Sequence, residues 1–231
     1  MKKIIILFLI GFSAALAKAD PAFVQSASTE AFSTTSASRA FTSGNGSGNL
    51  LITCLRIPAP ALSATITDSN SNTYSTAISG CNSSFCLQID YSSGAIMGAN
   101  TVTANYSGSA TTLALAIHEY SNASALDGTS SAFGVPSPPG EIGSGTVMTT
   151  HDIELLFGCG AGSNFVSPGT GFTGRENVGS ISQTQTEDLI VTSTGSYRSL
   201  FSQGGGAWTA TLATFYAPIT PSNTGNLLEV F

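Results

Sequence analysis

Beyond its first twenty residues the chain nowhere repeats its apolar residues with a helical period. Runs of Leu, Ile, Val and Phe, each about five to eight residues long, alternate instead with clusters of Gly, Ser, Asn and Pro. Runs this short suit strands rather than helices. Strands are expected at 22–26, 49–57, 62–67, 73–78, 85–91, 101–106, 112–120, 153–160, 188–193, 196–201 and 207–216. The segments SGNGSGN (43–49), DSNSN (68–72) and GVPSPPGEIGSG (134–145) read as turns or loops, because their residues tolerate positive φ or fix it. The fold class that follows is all-β, an antiparallel jelly-roll-like sandwich.

A faint internal echo runs through the same pattern. NLLITC (49–54) answers ELLFGC (154–159), and TLALAIHEY (112–120) answers the stretch ending in ATFY (208–216) at an offset of 96. Two related halves, 20–133 and 146–231, would then meet at the Pro/Gly loop 134–145. Any two Leu/Ala/Thr strands look somewhat alike, and neither half is large enough to close a sandwich. Residues 20–231 are therefore expected to form one domain.

The first nineteen residues read as an export signal. Lys2 and Lys3 precede the apolar run Ile4–Ile10, and Ala17-Lys18-Ala19 places small residues at the two positions a signal peptidase inspects. The apolar run is short of a full membrane span. A mature, secreted or cell-surface chain starting at Asp20 keeps four arginines, no lysine and thirteen acids, for a net charge of −9. Such a chain has no basic stripe to neutralise phosphates, which disfavours nucleic acid and anionic lipid as partners. Its surface is expected to be hydroxylic rather than ionic.

Export also sets the expectations for the four cysteines. Cys81 and Cys86 enclose Asn-Ser-Ser-Phe, a spacing that suits a bridge across a tight loop. Cys54 and Cys159 end the two similar strands, and either bridge or sit in the core as small apolar thiols. With no CxxC pair, and only His118 and His151 to supply imidazole, a zinc site is not expected.

The order GNLLITCLRI, ITDSNSNTYSTA, GANTVTANYS, LAIHEYSNASALDG, ELLFGCGAG, GTGFTGRE, TEDLIVTSTGSYRSLF and AWTATLATF resembles a recurrent module of bacterial secreted and surface proteins. The resemblance covers most of the chain after about residue 22. It implies a jelly-roll-type sandwich at the cell exterior and brings no catalytic residues with it. Cys54 and Cys159 depart from it, standing where the module usually has small aliphatic residues.

Three groups of residues could carry chemistry. Asp68, Asn70 and Asn72 stand at alternate positions, as at the start of a calcium loop. The glycine of the sharp turn and the closing Glu are missing, since Thr73 and Ser79 stand there, so a turn is expected and no cofactor is required. Glu119 and Asp127 offer the two carboxyls of a polysaccharide hydrolase. Strand alternation, however, sends His118 and Glu119 to opposite faces and suggests that Glu119 anchors the following turn. Trp208, Tyr197 and Phe172, with Tyr74, Tyr91 and Tyr106, could stack on sugar rings, although most aromatics of a sandwich are core. The paired acids of EDLIV (187–191) read as a solvated strand edge. There is no GxSxG elbow and no glycine-rich turn between strand and helix. The resulting expectation is a secreted, non-enzymatic β-sandwich that binds an extracellular polysaccharide or cell-surface partner. The alternatives are a hydrolase using Glu119 and Asp127, or a subunit of an extracellular polymer.

Overall fold

A computed structural model describes residues 19–59, 64–137, 139–179 and 183–217. All but one residue of the expected signal segment lie outside these. Among the described residues every regular element is a strand. The first half of the chain holds β1 (Ala22–Ala40), β2 (Leu50–Pro58), β3 (Ala64–Asp68), β4 (Ser75–Cys81), β5 (Phe85–Ser92) and β6 (Thr101–Ser121). The second holds β7 (Ala125–Ser137), β8 (Gly140–Gly143), β9 (Val147–Met148), β10 (Glu154–Gly162), β11 (Val166–Pro168) and β12 (Thr173–Val178). It continues with β13 (Thr184–Val191), β14 (Ser196–Tyr197), β15 (Leu200–Gln203) and β16 (Gly206–Tyr216).

The two main sheets run β1-β6-β2-β5-β4 and β12-β13-β10-β16-β7. Read from opposite ends, they have one connectivity. In each half the strand first in sequence pairs with the last, the last with the second, the second with the fourth, and the fourth with the third. All these pairings are antiparallel. Instead of two interleaved Greek keys of jelly-roll type, each sheet comes from one contiguous half. The sandwich is as expected, but its strand order is not that of a jelly roll.

The halves meet at Asn122–Ser124, between β6 and β7, and not at 134–145. That loop lies within the second half because β7 continues to Ser137 along β16. Register also corrects the echo. Ala116 lies beside Cys54, and Thr211 beside Cys159, which aligns β6 with β16 at an offset of 95. The offset of 96 would have put every side chain on the wrong face. At 95, Tyr120 corresponds to Phe215 and Glu119 to Thr214. A β-bulge recurs at the same place too, at Val24 opposite β6 and at Asp127 opposite β16.

The sheets pack face to face with their order reversed, β1 over β12, β5 over β16 and β4 over β7. β2 and β10 are the middle strand of each sheet, and the Cys54–Cys159 disulfide joins them, with Cα atoms 6.0 Å apart. A contact that joins equivalent residues is the mark of a two-fold, self-complementary interface. The core between the sheets contains Ile52, Leu87, Ala116, Tyr120, Leu155, Phe157 and Phe215. Cys81 and Cys86 face each other across the β4–β5 hairpin and form the second disulfide.

Each sheet has an outer core as well. β6 loses register with β1 between Ala110 and Asn105, and beyond that irregularity it pairs with β3. This segment folds back over its own sheet, so Val102, Ala104 and Tyr106 share a core with Leu51, Leu55 and Leu115. On the other side, β8, β11 and β15, together with β9 and β14, form small sheets over the second main sheet. Their cores centre on Phe201 and on Leu156 with Leu212. The C-terminal part of β6 is thus buried on both faces.

Candidate functional site

β6 ends three residues before β7 begins, so Glu119 and Asp127 lie at one end of the sandwich. Glu119 is fully buried. Gln25 Nε2 and Asn45 Nδ2 donate to its Oε2 at 2.6 and 2.8 Å, and Gly46 N–H and Asn49 Nδ2 donate to Oε1 at 2.7 and 2.6 Å. Gln25 is itself fixed, because its Oε1 accepts from Thr42 and from the backbone and hydroxyl of Ser43. Burial opposes ionisation of Glu119, but the four donors outweigh it and hold the carboxyl below the ordinary range. A carboxylate surrounded by donors and cut off from solvent cannot serve as a general acid. Glu119 fastens the loop 41–49 to the end of β6.

Asp127 has other company. Its bulge turns the side chain out of the β7 ladder, as bulges do, toward the loop before β10. Thr150 N–H donates to Oδ2 at 2.8 Å, and the Thr150 hydroxyl donates to Oδ1. His151 Nδ1 lies 3.5 Å from Asp127 Oδ1 and 3.6 Å from Glu154 Oε1. The His151 ring stacks on Tyr216, with centroids 3.5 Å apart and planes 11° from parallel. Glu154 is fully buried, and its Oε1 accepts from His151 N–H at 2.9 Å. Burial, and then the charge of Asp127, push the Glu154 carboxyl up. Asp127 is held down despite its own burial, chiefly by Thr150. The sequence reading named Asp127 but paired it with Glu119, whereas the structure pairs it with His151 and Glu154.

His118 faces the inner core, where its Nε2 lies 2.9 Å from Thr186 Oγ1 and its ring stands edge-on to Phe157. Burial lowers its pKa to about 3, which keeps it neutral. The next inward residue, Tyr120, donates its hydroxyl hydrogen to Asp188 Oδ2 at 2.7 Å, and Arg175 Nε donates to the same oxygen at 2.7 Å. Arg175 lies over the Phe23 ring. Glu187 and Asp188 are therefore buried in an interior strand, not on the solvated edge that EDLIV suggests. Glu187 accepts from Gly169 N–H and Leu200 N–H, and burial pushes its carboxyl up to about 8.

Asp68 is filled by donors. Asn70 N–H and Asn72 N–H reach Oδ1, while Asn72 Nδ2, Tyr74 Oη and Asn100 Nδ2 reach Oδ2. Asn70 and Asn72 thus donate toward the carboxylate and close a turn on Asp68. Of the rings named for sugar stacking, Trp208, Phe172 and Tyr197 are half-buried. Trp208 packs on the core around Phe201, and Phe172 and Tyr197 pack on the core around Leu212.

The end that carries both carboxylate clusters also bears a shallow depression. It is lined by Ser47, Gly48, Asn49, Asn122, Ala123, Ser124 and Ala217. Sequence reasoning missed it because its parts come from two separate loops and the end of β16; it named His151 only as a source of imidazole and did not single out Glu154. The matching places of Glu154 and Asn49 in the two similar strands were the available signal. No family model, curated protein or solved structure matches the chain.

Proposed function

We propose that the protein is an exported, non-catalytic β-sandwich module that binds carbohydrate, free or on a cell surface. The observation that carries this reading is the depression at the junction of the halves. Its side chains are hydroxyls and amides, Ser47, Asn49, Asn122 and Ser124, the groups that exchange hydrogen bonds with sugar hydroxyls. The cation-poor composition and the resemblance to surface modules agree with it. Two disulfides are compatible with an extracellular protein, and among the described residues no helix is long and apolar enough to cross a membrane. The hydrolase reading loses its acid, because Glu119 is enclosed by donors.

Glycan-array and polysaccharide pull-down measurements test the proposal. Binding is expected, and Asn122→Ala combined with Ser47→Ala should weaken it while leaving the fold intact. Absence of binding to any glycan or cell surface overturns the reading. Filaments of the purified protein under the same conditions would favour a polymer subunit instead.

A further inference from the structure

The Asp127 cluster has the opposite polarity to its counterpart in the first half. Loop positions correspond through the strands that follow them. Gly46 precedes Asn49 as His151 precedes Glu154, and both backbone N–H groups donate to a buried glutamate, Glu119 in one half and Glu154 in the other. In the first half the remaining neighbours are amide donors, Gln25, Asn45 and Asn49. In the second half Gly128, Thr150 and Glu154 take those places, and Asp127 and the His151 imidazole point into the same space. One frame thus encloses a carboxylate with donors and its copy gathers acceptors.

Acceptors gathered this closely require a proton or a cation between them. The ligand atoms of Asp127, His151 and Glu154 all lie within 4.8 Å of one another. The two separations from His151 Nδ1, 3.5 and 3.6 Å, are near the ~3.4 Å edge of a tetrahedron whose metal–ligand bonds are about 2.1 Å. Independently, Glu154 Oε2 is buried and has no hydrogen-bond donor. An acceptor left in that state is destabilising, and a bound cation would remove the cost.

We infer that Asp127, His151 and Glu154 bind one divalent transition-metal cation of the zinc class. The imidazole ligand selects such an ion over calcium or magnesium, which prefer all-oxygen sites. Tyr216 holds the imidazole plane by stacking, and the Thr150 hydroxyl and N–H, donating to Asp127, orient that carboxylate from outside. Three protein ligands with a partly exposed His151 leave one position open to water or to a ligand oxygen. This site does not depend on the carbohydrate reading, and it stands or falls separately.

Isothermal titration of zinc and cobalt(II) into the chelator-treated full chain tests it. The expected result is one ion per chain, with a cobalt absorption band of four-coordinate type. Zinc should also raise Tm, since it binds only the folded state. His151→Ala and Asp127→Asn should each weaken zinc binding by at least about tenfold, whereas Asp68→Asn should leave it unchanged. Either variant that remains folded, as judged by circular dichroism, suffices. Absence of binding below millimolar zinc, or binding unchanged in both variants, overturns the inference. In that case Asp127 and Glu154 share a proton, and Glu154→Gln should raise stability at neutral pH with no response to zinc.

Discussion

Tyr120 reaches across the sandwich to hydrogen-bond Asp188. The reciprocal contact is also made, because Phe215, in the place of Tyr120 in the second sheet, packs edge-on against Tyr91, in the place of Asp188 in the first. Removing the Tyr120 hydroxyl leaves a buried carboxylate that still has Arg175. Tyr120→Phe should therefore cost about 1–2 kcal/mol, read from urea unfolding. A double-mutant cycle with Asp188→Asn should show coupling, and additive losses would mean that the contact contributes nothing.

The two disulfides should differ in weight. The Cys54–Cys159 bond closes a span of 105 residues and Cys81–Cys86 one of 5. Chain entropy assigns them about 4.7 and about 2 kcal/mol. Cys54→Ala with Cys159→Ala should lower unfolding free energy by roughly twice as much as Cys81→Ala with Cys86→Ala, measured by denaturant titration.

Stability should peak in weak acid. His118 has a folded pKa of about 3, below its unfolded value of about 6.5. The unfolded chain therefore takes up its proton first, and stability falls as pH drops below that value. Glu187 has a folded pKa of about 8, above its unfolded value of about 4.3. The folded chain holds that proton longer, so stability falls as pH rises toward 8. The two slopes oppose each other between about pH 4.3 and 6.5 and act alone outside it. Unfolding curves from pH 3 to 9 test this, and Glu187→Gln should flatten the alkaline limb only.

Glu119→Ala should strand four donors without their acceptor, those of Gln25 and Asn45 buried and those of Gly46 and Asn49 half-buried. The expected loss is at least about 3 kcal/mol, with faster hydrogen exchange confined to loop 41–49. A loss under 1 kcal/mol would mean that the donors find water and that Glu119 is not an anchor.

The interior strands were legible in the sequence because β2, β5, β10 and β16 carry dense apolar runs. β7 and β12 were not. Both are sheet edges, rich in Ser, Thr, Gly and charged residues, and little in them marks a buried face. The echo was visible but misaligned by one residue, because β6 is apolar on both faces and alternation cannot then fix the register. That Glu119 is an anchor followed from alternation, but the segment it holds is loop 41–49 and not the turn after β6, because its donors are Gln25, Asn45, Gly46 and Asn49. The cluster around Asp127 did not follow from alternation, since its partners lie in a loop more than twenty residues away and only the folded β-bulge brings them together.

The connection Asn122–Ser124 has one more consequence. Two such sheets on separate chains would associate according to their abundance and part on dilution. With the ends of β6 and β7 three residues apart, each sheet meets the other at an effective concentration on the order of millimolar. The assembly therefore answers to chain length and not to dose: however thinly the protein is spread, every molecule carries its own counterpart.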